Sequence, residues 1–192
     1  MSGGTVERPK ASRRIQSAAK DLFYRQGIRA TGIEEVCRTA EATKMSLYRA
    51  YPSKDALVAA ILCEDAAAYD AWFAEVTGPA PTAAAKLHAV VAAVAAKLVT
   101  PDYRGCPLLL AQAEFPDPGH PTHQLVAAHK ARIRDGLAAL ACEAGATEPA
   151  LLADTLAMLI DGAWAALPYL GGARAGEVLQ NSADMMLREA LG

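Results

Sequence analysis

Apolar residues recur along this chain at steps of three and four almost throughout, and no stretch shows the strict alternation of a half-buried strand. From Ala11 to Gln26 the positions Ile15, Ala18, Ala19, Leu22 and Phe23 form one buried helical face, with Gly27 placed to stop the helix in a left-handed turn. Thr31, Gly32, Ile33 and Glu34 have the pattern of a capping box, which starts a second helix running to about Ala40. After a break at Glu41 and Ala42, Thr43 is a good N-cap for a two-turn helix from Lys44 to Tyr51, closed by Pro52. Ser53 caps a longer helix reaching about Val76. Further helices are expected near 82–99, 106–114, 121–144, 149–167 and 175–190, separated by segments rich in Gly and Pro.

A short helix, a tight turn and a second short helix make the helix-turn-helix plan, whose second helix lies in the major groove of DNA. In helix 44–51, Leu47, Ala50 and Tyr51 fall on one side and are expected to pack on Ile33, Val36 and the first helix. Met45, Ser46 and Arg49 project the other way, toward base edges. Lys44, Tyr48 and the Thr43 hydroxyl flank that face within reach of phosphates, where a helix N-terminus also carries positive dipole.

Composition supports an all-α chain: 44 of 192 residues are Ala, the best helix former and a poor strand former. With 53% hydrophobic and 21% charged residues the chain must bury a core, which excludes a disordered polymer. The net charge of −2 hides an asymmetry. The first 55 residues hold 11 basic against 6 acidic side chains, and the remaining 137 hold 8 against 15. A basic module for a polyanion on an acidic body follows from that difference of 12 charges. Residues 1 to about 10 are expected to be a mobile arm. Cys37, Cys63, Cys106 and Cys142 stand singly, as reduced thiols of a cytoplasmic protein do. The longest uncharged apolar stretches, such as 87–96, fall short of a membrane span, and no export signal or membrane partner is expected.

Ile15 to Leu57, above all TKMSLY at 43–48 and YPSKDAL at 51–57, closely resembles the N-terminal domain of TetR-family transcriptional regulators. The resemblance implies an all-helical protein: a DNA-binding domain over residues 1–55, and a ligand-binding and dimerisation domain over 56–192. It also implies that Thr43, Lys44 and Tyr48 contact backbone phosphates, with Lys54 doing so at the next helix start, and that Met45, Ser46 and Arg49 read bases. Glu41 departs from the pattern by standing at the usual turn glycine, Met45 replaces a common glycine, and Arg49 with Ala50 replaces a frequent His-Tyr pair. The stretch from Gly105 to Pro121 resembles one branch of the family's C-terminal domains and names no ligand.

With 11 aromatic residues in all, Trp72, Tyr103, Phe115 and Trp164 are expected to wall an apolar effector pocket, with His129 as a polar handle or a core histidine. His120, His123 and His129 near Glu114 and Asp117 match no metal motif, and a helix cap plus one core-facing histidine accounts for them better; no cofactor is expected. Asp154 and Asp161 fit paired structural carboxylates and a site for a cationic ligand equally well. Lys130, Arg132 and Arg134 are expected to be a solvated face, and Cys106 inert packing rather than a sensing thiol. No nucleophile motif, phosphate loop or dinucleotide fingerprint is present, so enzyme chemistry has no residue to stand on. A small helical enzyme and a ligand-binding protein that never touches DNA are the rival readings, and the charge placement and helix 44–51 argue against both. The expectation is a homodimeric repressor on a double-stranded, two-fold operator, released by an unidentified small molecule. Helices 149–167 and 175–190 are its expected interface.

Overall fold

The computed structural model describes residues 10–192, so the expected N-terminal arm lies almost wholly outside the described residues. Among these residues the chain forms only helices: α1 (Ala11–Gln26), α2 (Ile33–Thr39), α3 (Lys44–Ala50), α4 (Lys54–Thr77), α5 (Ala83–Leu98), α6 (Pro107–Ala113), α7 (Pro121–Glu143), α8 (Pro149–Leu170) and α9 (Gly172–Leu191). Thr43, Ser53 and Thr82 cap α3, α4 and α5 by accepting from backbone N–H groups three residues on. Gly27 ends α1 at φ 98°, a conformation open to glycine.

The capping box at the start of α2 does not form. Thr31 is buried and its hydroxyl donates to the Gly27 carbonyl at 2.7 Å, so Gly32 becomes an N-cap without a side-chain bond. Helix α8 also passes the expected stop: Pro168 sits in its last turn and the helix continues to Leu170.

Two cores meet along the chain. The first holds Ile15, Phe23, Val36, Leu47, Leu57 and Ile61, and is completed from the body by Cys106, Leu108, Ala111 and Val126. A cut after residue 55 therefore runs through this core. The second is built from α5, α7, α8 and α9 around Leu87, Leu137, Leu156 and Leu179. Trp164 packs against both. By length and composition α8 could cross a membrane, yet both of its carboxylates are ion-paired to α7: Asp161 with Lys130 and Asp154 with Arg134. Arg132 on the same helix pairs with Asp70 of α4, so the two arginines lie on a solvated face, as expected, and also tie helices together, while Lys130 is largely covered.

Candidate nucleic-acid interface and body cavities

Leu47 is fully buried and anchors α3 on the first core, which fixes which side of this short helix faces out. Met45 is 72% exposed, Tyr48 is 49% exposed, and Arg49 is exposed beside them. Ala50, expected to pack inward, is exposed, whereas Tyr51 turns in and its hydroxyl donates to Gln16 Oε1 at 2.7 Å. Thr43 Oγ1 accepts from the Ser46 N–H at 3.1 Å and lies 3.0 Å from the Ser46 hydroxyl, so both hydroxyls sit at the helix entry.

The lysines are engaged. Lys44 Nζ is paired with Glu34 of α2, and this partner holds the Glu34 carboxyl below the usual carboxylate range and the Lys44 ammonium above the usual lysine value. Lys54 Nζ donates to the Thr31 carbonyl at 2.7 Å and lies 5.7 Å from the Phe23 ring centre, and burial lowers its pKa. Lys54 thus stands apart from the outward set. Sequence reasoning missed Arg14, whose guanidinium donates to the carbonyls of Ala40 and Glu41, both at 3.1 Å, and steadies the turn between α2 and α3. Nothing in the spacing of α1 marks that role. Glu41 takes the left-handed conformation, φ 47°, that the turn requires.

The body grips this unit at two places. Tyr24 donates its hydroxyl to the Gly105 carbonyl at 3.1 Å, while Arg104 donates to the carbonyls of Tyr24 and Arg25 at 2.6 and 2.7 Å, capping the end of α1. Glu114, at the end of α6, accepts the backbone N–H groups of Ile28 and Arg29 at 2.8 and 2.7 Å.

The five expected pocket residues divide. Trp72, Tyr103 and Trp164 line a small chamber of about 50 Å³ together with Lys97, Lys130 and Asp161. Lys97 Nζ lies 4.0 Å from the Trp72 ring centre, and burial lowers its pKa. His129 is 4% exposed, meets the Tyr69 ring edge at 5.2 Å and leaves Nδ1 without a partner; burial lowers its pKa. It lies beside the chamber rather than on its wall. Phe115 lies elsewhere, stacked on His120 at 3.9 Å. His120 is the N-cap of α7, and His123 bonds Gln112 and the Phe115 carbonyl, so these rings have structural work. No cluster of potential metal ligands occurs among the described residues. Cys106 is buried, and burial raises its thiol pKa. A larger cleft of about 490 Å³ opens between α1, α4 and α6, with Tyr103 on its wall as well.

Residues 15–61, which span α1 to the first turns of α4, match the family described as bacterial regulatory proteins, tetR family. A TetR-family transcriptional regulator from Streptomyces coelicolor is 31% identical and superposes with a TM-score of 0.91, over 95% of this chain and 96% of that one. The chain belongs to the TetR family. It is therefore a transcriptional regulator with a DNA-binding helix-turn-helix formed by α2 and α3. A second TetR-family structure, from Streptomyces avermitilis, is 30% identical with a TM-score of 0.77, over 95% of this chain and 98% of that one. The HTH-type transcriptional regulator YjdC of Escherichia coli K12 is 29% identical over 149 residues, 77% of this chain and 78% of that protein.

Proposed function

We propose that this TetR-family protein is a cytoplasmic, ligand-responsive repressor that binds a two-fold operator as a homodimer. The observation that carries the reading is the outward face of α3: Leu47 fixes the phase, leaving Met45, Ser46 and Arg49 to meet bases, with Thr43, Lys44 and Tyr48 at the phosphates. Lys54, tied to Thr31, contributes to that surface by holding the α1–α2 loop. One helix of seven residues covers few base pairs, so selectivity requires two copies about 34 Å apart.

The second copy has a surface to join. On α8, Leu151, Thr155, Met158, Gly162, Ala165 and Tyr169 follow one another at steps of four and three and face outward without a charge among them. Val178 and Met185 of α9 are exposed as well. The regulator divides functionally into a DNA-binding part, residues 1–55, and an effector-binding and dimerising part, 56–192, with the chamber at Trp72, Tyr103 and Trp164 opening to admit an effector. The effector acts by binding one dimer spacing better than the other.

The test is selection of bound fragments from genomic DNA, followed by a salt titration of the complex. Binding to a two-fold sequence, falling steeply with salt as phosphate contacts release counterions, is the expected result. No selected fragment, or an affinity indifferent to salt, would overturn the reading.

A further inference from the structure

The cleft of about 490 Å³ falls in the range of about 300–1,000 Å³ typical of small-molecule sites. Its apolar lining comes from both parts of the protein: Phe23 and Ile28 from the DNA-binding unit, Ile61 and Leu62 from α4, and Leu110 from α6. Asp65 is the charge set deepest, with a side chain only 11% exposed. Its cation, Lys20 at 2.6 Å, also meets Glu64 at 3.1 Å, an exposed carboxylate outside the lining that accepts from Gln16 as well at 2.7 Å. Burial keeps the Asp65 carboxyl above the usual carboxylate range in spite of that lysine.

The other charged groups around the cleft have hydrogen-bond partners of their own. Glu114 is occupied by two backbone amides, Asp21 by Arg25 at 2.8 Å, Arg104 by the carbonyls that end α1, and Lys54 by the Thr31 carbonyl. The lining itself holds one ammonium, Lys20, against the carboxylates of Asp21, Asp65 and Glu114, and we propose that the cleft is a binding site for an apolar ligand carrying a single positive charge. The charge rests against Asp65 and the apolar part against α4 and α6. This site is separate from the aromatic chamber, which at about 50 Å³ has room for an effector only once it opens. An occupant touches α1 and α6 at once, between the grips made by Glu114 and by Tyr24 with Arg104, so the DNA-binding unit feels it directly.

Tetraphenylphosphonium and tetraphenylborate are ions of nearly the same shape and opposite charge, and calorimetric titration of each into the full chain without DNA tests the proposal apart from any regulatory role. The phosphonium is expected to bind at least about tenfold tighter than the borate, with Asp65→Asn narrowing that ratio. Ser17→Trp fills the cleft from an exposed position on α1 and so leaves the cores untouched; it is expected to weaken the phosphonium by about tenfold or more. Leu110→Trp fills it from α6 with the same expected effect, and Ser17→Trp decides the matter if that variant does not fold. No phosphonium binding, equal affinities for the two ions, or an affinity unchanged by Ser17→Trp would overturn the proposal.

Discussion

Met45 on α3 and Met158 on α8 are exposed to nearly the same extent, 72% and 74%, in very different company. Around Met45 stand Lys44, Ser46, Tyr48 and Arg49, each with a hydrogen-bond donor, within the first 55 residues, which carry excess positive charge. Around Met158 the outward positions are Leu151, Thr155, Gly162 and Ala165, with the charges of α8 turned inward onto α7. Exposure of a large apolar side chain therefore says little by itself. A methionine among cations suits a groove walled by phosphates, and one in an uncharged stripe suits another copy of the same helix.

The same substitution at the two methionines separates the surfaces most sharply. Met158→Glu places two carboxylates in the proposed two-fold interface and is expected to weaken the dimer by about 100-fold or more in sedimentation, because burying an unpaired charge costs several kcal/mol. Met45→Glu should leave the dimer intact and abolish operator binding. A Met158→Glu protein that stays dimeric would remove α8 from the interface.

Next in size, Arg49→Ala should cost about 1–3 kcal/mol on the operator and relax the preference at one base pair, as expected for loss of a bidentate guanine contact. Lys44→Ala should weaken operator and scrambled duplexes alike and lower the salt slope by no more than about one per subunit, read from binding isotherms at several salt concentrations. If Lys44→Ala changes sequence preference and Arg49→Ala does not, the assigned outward phase of α3 is wrong.

Smaller effects probe what holds each region. Arg14→Ala removes both bonds to the carbonyls of Ala40 and Glu41 and should cost about 1–3 kcal/mol, seen as a fall in Tm. In the body, burial holds His129 below the usual histidine value of 6.5, so the unfolded chain takes up its proton first. That contribution to stability is present above pH 6.5 and is lost as pH falls through the depressed value of the folded state. Between about pH 7.5 and 5.5 the wild-type Tm should therefore fall more than that of His129→Leu.

Helix positions were legible because apolar periodicity and caps such as Thr43 act within one turn of the residues that reveal them. Thr31 misled because the same hydroxyl that could cap α2 finds the Gly27 carbonyl once the end of α1 folds over it. Lys130, Arg132 and Arg134 look solvated on one helix alone, and their partners lie on α4 and α8, 62 residues away at the farthest. The outward face of α3 could be read from the phase of Leu47. The residues expected to wall a pocket could not be grouped: Phe115 and His129 share the chemistry of Trp72, Tyr103 and Trp164, and only the packing of α6 and α7 sends Phe115 to His120 and His129 to Tyr69.

Glu114 reaches the DNA-binding unit through main-chain amides alone, and this changes how the contact is inherited. Any residue except proline offers the same N–H at positions 28 and 29, so the grip does not depend on those side chains, although Ile28 is held in place by the first core. An alanine scan of the α1–α2 loop would pass over it, whereas proline at either position would expose it. This grip, one of the two between the parts of the regulator, thus rests on the identity of a single acidic residue, and leaves no paired substitutions for a comparison of sequences to register.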